Sequence, residues 1–249
     1  MALEFGYLEL VNGIFSIAII CSFAFVGYNI AKIYRKSKEK VYLLVGIAWI
    51  LLASPWYGSG TSFIVALFNY GQGLSVLPLL YFSLVVLLIP IALATFVTSI
   101  TEIIYREYRW RIRSIFIVFG ILMEILFIYM MISTPTDVIT LLTAVNAHYS
   151  TVVLIYILIS LVILVIIGIL LGRSSIKIGT TENKLKGYFV LAAFTLYALG
   201  AIFDSLLNTV IKQIPVLILL PRGFLLLSAF CFYLGFVTPN FIKKRLKLE

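Results

Sequence analysis

Charge is what this chain has least of. Only 12% of its 249 residues are Asp, Glu, Lys or Arg, while 63% are hydrophobic. Soluble domains run at about a quarter charged and roughly half apolar. A chain of this length has too little interior to hide such a surplus, so an ordinary water-soluble fold is excluded and lipid must be part of the solvent. Cysteine is nearly missing too. Cys21 and Cys231 both fall inside apolar runs, which excludes a disulfide framework and reads as small core residues. The single histidine, His148, has no cysteine or carboxylate neighbour at metal-ligand spacing, so no metal or cofactor is expected. The sequence lacks a glycine-rich phosphate loop, a nucleophile with its base and a zinc-protease helix. Asp204 is the one aspartate within an apolar run, and an intramembrane aspartyl protease needs two. These absences point away from an enzyme, and no residue is assigned a catalytic role. The segment Met1 to Glu9 holds two glutamates and no basic residue, unlike the start of a secretory signal peptide.

What is present is a series of long apolar runs. A helix needs about 20 apolar residues to span the hydrocarbon core. Seven runs meet that length, at approximately 11–33, 41–61, 74–105, 115–133, 152–172, 187–207 and 215–237. The second meets Pro55 and then Trp56-Tyr57-Gly58-Ser59-Gly60; it either ends near Thr61 or continues, broken, to Phe68. The third contains Pro78 and Pro90, and Pro215 is well placed as the first residue of the seventh. The expected fold is therefore all-α: a single transmembrane domain over residues 1–249, with seven helices in the cell membrane.

Orientation follows from the basic residues. All of the 19 except Lys212 and Arg222 lie in alternate connections: Lys32 to Lys40, Arg106 to Arg113, Arg173 to Lys186 and Lys243 to Lys247. The positive-inside rule then puts the N-terminus outside and the C-terminus in the cytoplasm. The net charge of +9 is accounted for by topology and by anionic head groups, so direct nucleic-acid binding is not inferred. Trp110 and Tyr108 suit the inner membrane interface, and Trp56 and Tyr57 the outer one. Two connections are long. Thr134 to Ser150 has an apolar middle, Val138 to Leu142, that suits a short helix lying on the membrane. Arg173 to Lys186 is polar and reads as the docking loop for a cytoplasmic or membrane partner.

Ionisable groups within a bilayer are costly and are functional candidates by default. Asp204 and Arg222 carry opposite charges at similar depth in consecutive antiparallel helices, so a salt bridge is expected. It either locks two helices together or belongs to a ligand or gating site. Ser205 and Asn208 are placed to add hydrogen bonds. Pro221 removes a backbone donor beside Arg222 and is expected to kink the seventh helix, while Gly223 would admit a neighbouring helix. Glu124, in the middle of the fourth helix, makes either one interhelical hydrogen bond or part of a proton-linked switch. Thr95, Thr98, Ser99 and Thr101 either line a crevice or bond their own backbone.

Seven helices with an external N-terminus is also the layout of retinal proteins and G-protein-coupled receptors. Residues 215–237 contain no lysine for a Schiff base, and Tyr105-Arg106-Glu107-Tyr108 is not the receptors' acid-arginine-tyrosine motif. The exit of the last helix is more telling: Tyr233-Leu234-Gly235-Phe236, then Pro239, then Lys243-Lys244-Arg245. It resembles the end of the seven-helix membrane input regions of microbial histidine kinases and their stand-alone archaeal relatives. The resemblance covers about 15 residues besides the helix count, and no kinase domain lies within these 249 residues. It implies a receptor-like or scaffold protein acting through a partner. The alternative is a transporter, channel or membrane subunit of a translocation machine, with Glu124, Asp204 and Arg222 along its path.

Overall fold

Long apolar stretches leave the backbone no partner but itself, so they wind into helices. The computed structural model describes residues 6–74, 77–134, 138–207, 217 and 219–237. Helix α1 spans Tyr7–Ser37, α2 Lys40–Leu51 and α3 Ser54–Phe68. Helix α4 (Pro78–Phe82) runs through a π-helical turn, Ser83–Leu87, into α5 (Leu88–Ile103). Then come α6 (Arg109–Ser133), strands β1 (Ile139–Leu141) and β2 (Ala147–Tyr149), α7 (Thr151–Lys177), α8 (Thr181–Leu207) and α9 (Leu219–Phe236). Six spans are long and apolar enough to cross a membrane, and α2 with α3 makes a seventh if that bent pair is one span. The protein is thus an all-α, multi-pass membrane protein with one small hairpin among the described residues.

The second run is broken and does not end near Thr61. Helices α2 and α3 meet at 51°, and α3 continues to Phe68. Pro55 has no N–H to offer the carbonyl of Leu51, and the ladder opens there. Two phenols satisfy carbonyls at the break: Tyr57 donates to Ile50 O at 2.6 Å and Tyr197 to Leu52 O at 3.1 Å. Gly58 and Gly60 do not terminate the helix because they serve packing. A Cβ on Gly58 would meet Val85 and Tyr81, and one on Gly60 would meet Ile20. Pro90 acts differently. Its missing bond falls on Val86, within the π turn, which absorbs the misfit without stopping the helix.

Other boundaries shift for local reasons. The third run becomes helical only at Pro78. The fourth begins at Arg109 instead of 115, and Arg113 in its second turn pairs with Glu102 at 2.6 Å. The docking loop expected over Arg173 to Lys186 is almost entirely helix, because α7 and α8 run well beyond their apolar cores. Only Ile178 to Thr180 connects them, turning on Gly179 at φ +90°. The short helix expected near Val138 is instead the β1–β2 hairpin, paired antiparallel with Thr140 opposite His148. Pro215, Pro239 and the last basic cluster lie outside the described residues.

The bundle has two unlike ends. At the end carrying the turns α1–α2, α5–α6 and α7–α8, backbones come unusually close. A Cβ on Gly27 would fall 2.5 Å from Gly46 O, and one on Gly187 2.6 Å from Gly172 O. Small residues let membrane helices approach where no hydrophobic force drives them together. Beside these contacts lies an aromatic layer. Trp49 stacks on Phe232 with centroids 3.5 Å apart and on Phe23 at 4.8 Å, while Phe194 meets Trp49 edge-on. All four rings are buried. The other end carries the hairpin and is polar inside.

Candidate functional site

Arg222 is fixed by backbone geometry before any partner is considered. It stands in the first turns of α9 and is only 4% exposed. Pro221 precedes Arg222 within the described part of α9, Leu219–Phe236. Among the described residues nothing stands within 4 Å of where a Cβ on Gly223 would be. The close approach comes from the opposite side, where a Cβ on Gly200 of α8 would meet Leu225 and the carbonyl of Pro221. That contact brings α8 against α9 and Asp204 against Arg222.

The guanidinium pairs with Asp204 Oδ1 at 3.2 Å. It also donates to Asn12 Oδ1 at 2.6 Å and to Ser16 Oγ at 3.2 Å, both on α1. Ser16 in turn donates to the Asn12 carbonyl at 2.8 Å, and the Asn12 amide donates to Asn146 Oδ1 in the hairpin turn. The second oxygen of Asp204 accepts from Trp56 Nε1 at 3.0 Å. Trp56 is therefore a buried member of the network, 2% exposed, and not a residue of the outer membrane interface. Without partners, a charge at such a position costs about 2.5–3.5 kcal/mol on insertion scales. Here four elements supply the compensation.

The hairpin closes this network from above. Its tip, Ala144 and Val145, is fully buried. Ser62 of α3 donates to Ala144 O and accepts from the Leu74 N–H at 2.8 Å. Tyr81 donates to Val145 O at 3.2 Å and shares a 2.8 Å hydroxyl contact with Ser59. Tyr149 on β2 hydrogen-bonds the Tyr81 hydroxyl. Burial first, then the Tyr81 phenol and the Asp204 charge, push Tyr149 well above its ordinary value. With the Tyr81 O–H given to Val145 O, the Tyr149 O–H is the donor to Tyr81.

Asp204 also faces a cavity of about 460 Å³. The α2–α3 break, the Val85 to Leu93 stretch, the hairpin, α7 and α8 line it, half of the lining being Leu, Ile and Val. Trp56, Tyr149, Tyr197 and Ser54 lie on its wall. The Ser54 hydroxyl is fully buried and has no hydrogen-bond partner among the described residues.

The other sequence candidates stand apart. Ser205 donates to its own Ile202 carbonyl at 2.9 Å and not to Asp204; Asn208 lies outside the described residues. Glu124 sits across the bundle in a groove between α5 and α6, with Pro90, Thr95 and Thr98. It makes no hydrogen bond or ion pair with any described residue, so the expected interhelical bond is not found there. Thr95, Thr98 and Ser99 bond carbonyls of their own helix at 2.6–2.7 Å, and Thr101 also receives Arg113 Nε at 3.1 Å. Reading single charges missed Asn12, Ser16, Asn146 and Trp56. For two of these a signal existed: Asn12 and Ser16 are polar residues four apart, on one face of an apolar helix.

Compared with known families, curated proteins and solved structures, the chain matches none. What the site can do rests on its geometry alone. It holds a charge-compensated polar network, closed above by the hairpin and open sideways to an apolar cavity.

Proposed function

We propose that the chain is a non-enzymatic heptahelical receptor-like protein of the cell membrane that acts through a partner. Counting α2–α3 as one span gives seven crossings, and the alternation of basic turns supports an external N-terminus and a cytoplasmic C-terminus. The observation that carries the reading is the seal beneath the polar network. Trp49, Phe23, Phe232 and Phe194 form a buried ring layer between the network and the basic end. A transported ion or polar solute needs a hydrated or polar route, and these four rings are apolar apart from the Trp49 N–H. A receptor needs only a recognition site on one side and helices that carry a shift to the other, where the exposed basic turns meet the partner. The resemblance to histidine-kinase input regions supports the same reading.

A bent span and a π turn both mark helices that change shape, and they favour a second reading: a transporter, channel or translocation subunit whose aromatic layer opens. Flux separates the two. Purified protein in sealed liposomes is expected to leave K⁺, H⁺ and glycerol permeability at the level of empty vesicles. Protein-dependent flux that disappears in Asp204→Asn would replace the receptor reading with transport.

A further inference from the structure

The receptor reading leaves the ligand open, and the cavity beside Asp204 narrows it. Its volume, about 460 Å³, falls in the range of small-molecule sites. Helices α7 and α8 are drawn together at the basic end, where Gly168 and Gly172 touch Phe194 and Leu191. Towards the hairpin end the cavity separates them, and its lining there includes Leu158 and Ser205, both exposed. The mouth therefore faces the bilayer between two helices and is not covered by the hairpin.

The polar groups on the wall select the head group. Asp204 uses one lone pair on each oxygen, for Arg222 and for Trp56, and a carboxylate has further acceptor capacity on each. Two buried hydroxyls on the wall, Ser54 and Ser160, have no hydrogen-bond partner among the described residues; such groups cost stability unless something binds them, and Ser160 has the Tyr156 phenol beside it, which leaves Ser54 as the donor open to a ligand. The site thus presents both an acceptor and a donor, which a hydroxyl matches. A charged head group is disfavoured because the Arg222 charge already balances Asp204.

We propose that this cavity binds a neutral, single-chain alcohol that enters from the bilayer, its hydroxyl between Asp204 and Ser54 and its chain along the leucines of α7. The proposal rests on the receptor reading only in calling that alcohol a signal; the binding site itself does not depend on it.

Trp56 on the wall supplies the readout. In lipid nanodiscs, 11-bromoundecan-1-ol is expected to quench tryptophan fluorescence saturably. 1-Bromoundecane, the same chain without the hydroxyl, should give only the linear quenching of bulk partitioning. Ser54→Ala should weaken the saturable phase about three- to tenfold, the scale of one neutral hydrogen bond. Ala201→Phe, which fills the cavity, should abolish it while circular dichroism and melting remain those of a folded protein. Equal, unsaturable quenching by both probes would overturn the proposal and leave lipid tails as the occupant. Saturable quenching unchanged by Ala201→Phe would also overturn it, by placing the site elsewhere. Liposome flux is unaffected by either result, so the receptor reading stands or falls separately.

Discussion

The two halves of this bundle solve one problem in different ways. Lipid gives helices no hydrophobic reason to associate. The basic half answers with proximity: glycines at Gly27, Gly46, Gly172 and Gly187 bring backbones together, and buried rings fill the space beside them. The hairpin half answers with polarity. Arg222 collects Asp204, Asn12 and Ser16, and the hairpin tip is tied down by Asn12, Ser62 and Tyr81. Packing contacts are many and individually small; a hydrogen-bonded network acts as one unit. The first half is therefore suited to hold a shape and the second to change it when one member gains a new partner.

The largest expected effect lies in the packed half. Trp49→Ala removes the ring that stacks on both Phe23 and Phe232 and should cost about 3–5 kcal/mol, as large-to-small core substitutions do. Unfolding in mild detergent or bicelles measures it. A loss below about 1 kcal/mol would mean that the aromatic layer is not a seal.

In the polar half, Asn12→Ala should cost about 1–2 kcal/mol, the upper scale of hydrogen bonds between membrane helices. It should also loosen the hairpin, because Asn146 loses its donor. Faster hydrogen exchange across Ile139 to Tyr149 is the readout. Unchanged protection there would separate the hairpin from the network.

The smallest effect is expected at Glu124. With no hydrogen bond or ion pair among the described residues, Glu124→Leu should change stability by no more than about 0.5 kcal/mol. A large loss would show that this groove holds a partner of its own.

The contrast between the halves also decides what was legible in the sequence. Helix existence was plain, because a run of apolar residues has one stable solution in lipid. Asp204 and Arg222 were visible because each is a lone charge in such a run. The hairpin was not: Val138 to Leu142 suits a surface helix as well as a strand, and the choice is made by Asn12, Ser62 and Tyr81, far away in sequence. Trp56 was misjudged because an aromatic near a helix end fits the membrane interface equally well. Only the contact with α8 makes it a donor to Asp204.

The central claim is that Asp204 and Arg222 form one coupled unit, each held by the other and by partners of its own. The most direct test is a double-mutant cycle on unfolding free energy, comparing Asp204→Asn, Arg222→Met and the double variant with the parent in the same lipid. Each single change leaves a buried group uncompensated, so the double variant should lose less than the sum of the singles. The account predicts a coupling of about 1–3 kcal/mol; a coupling near zero would contradict it, because the two side chains would then answer to separate partners.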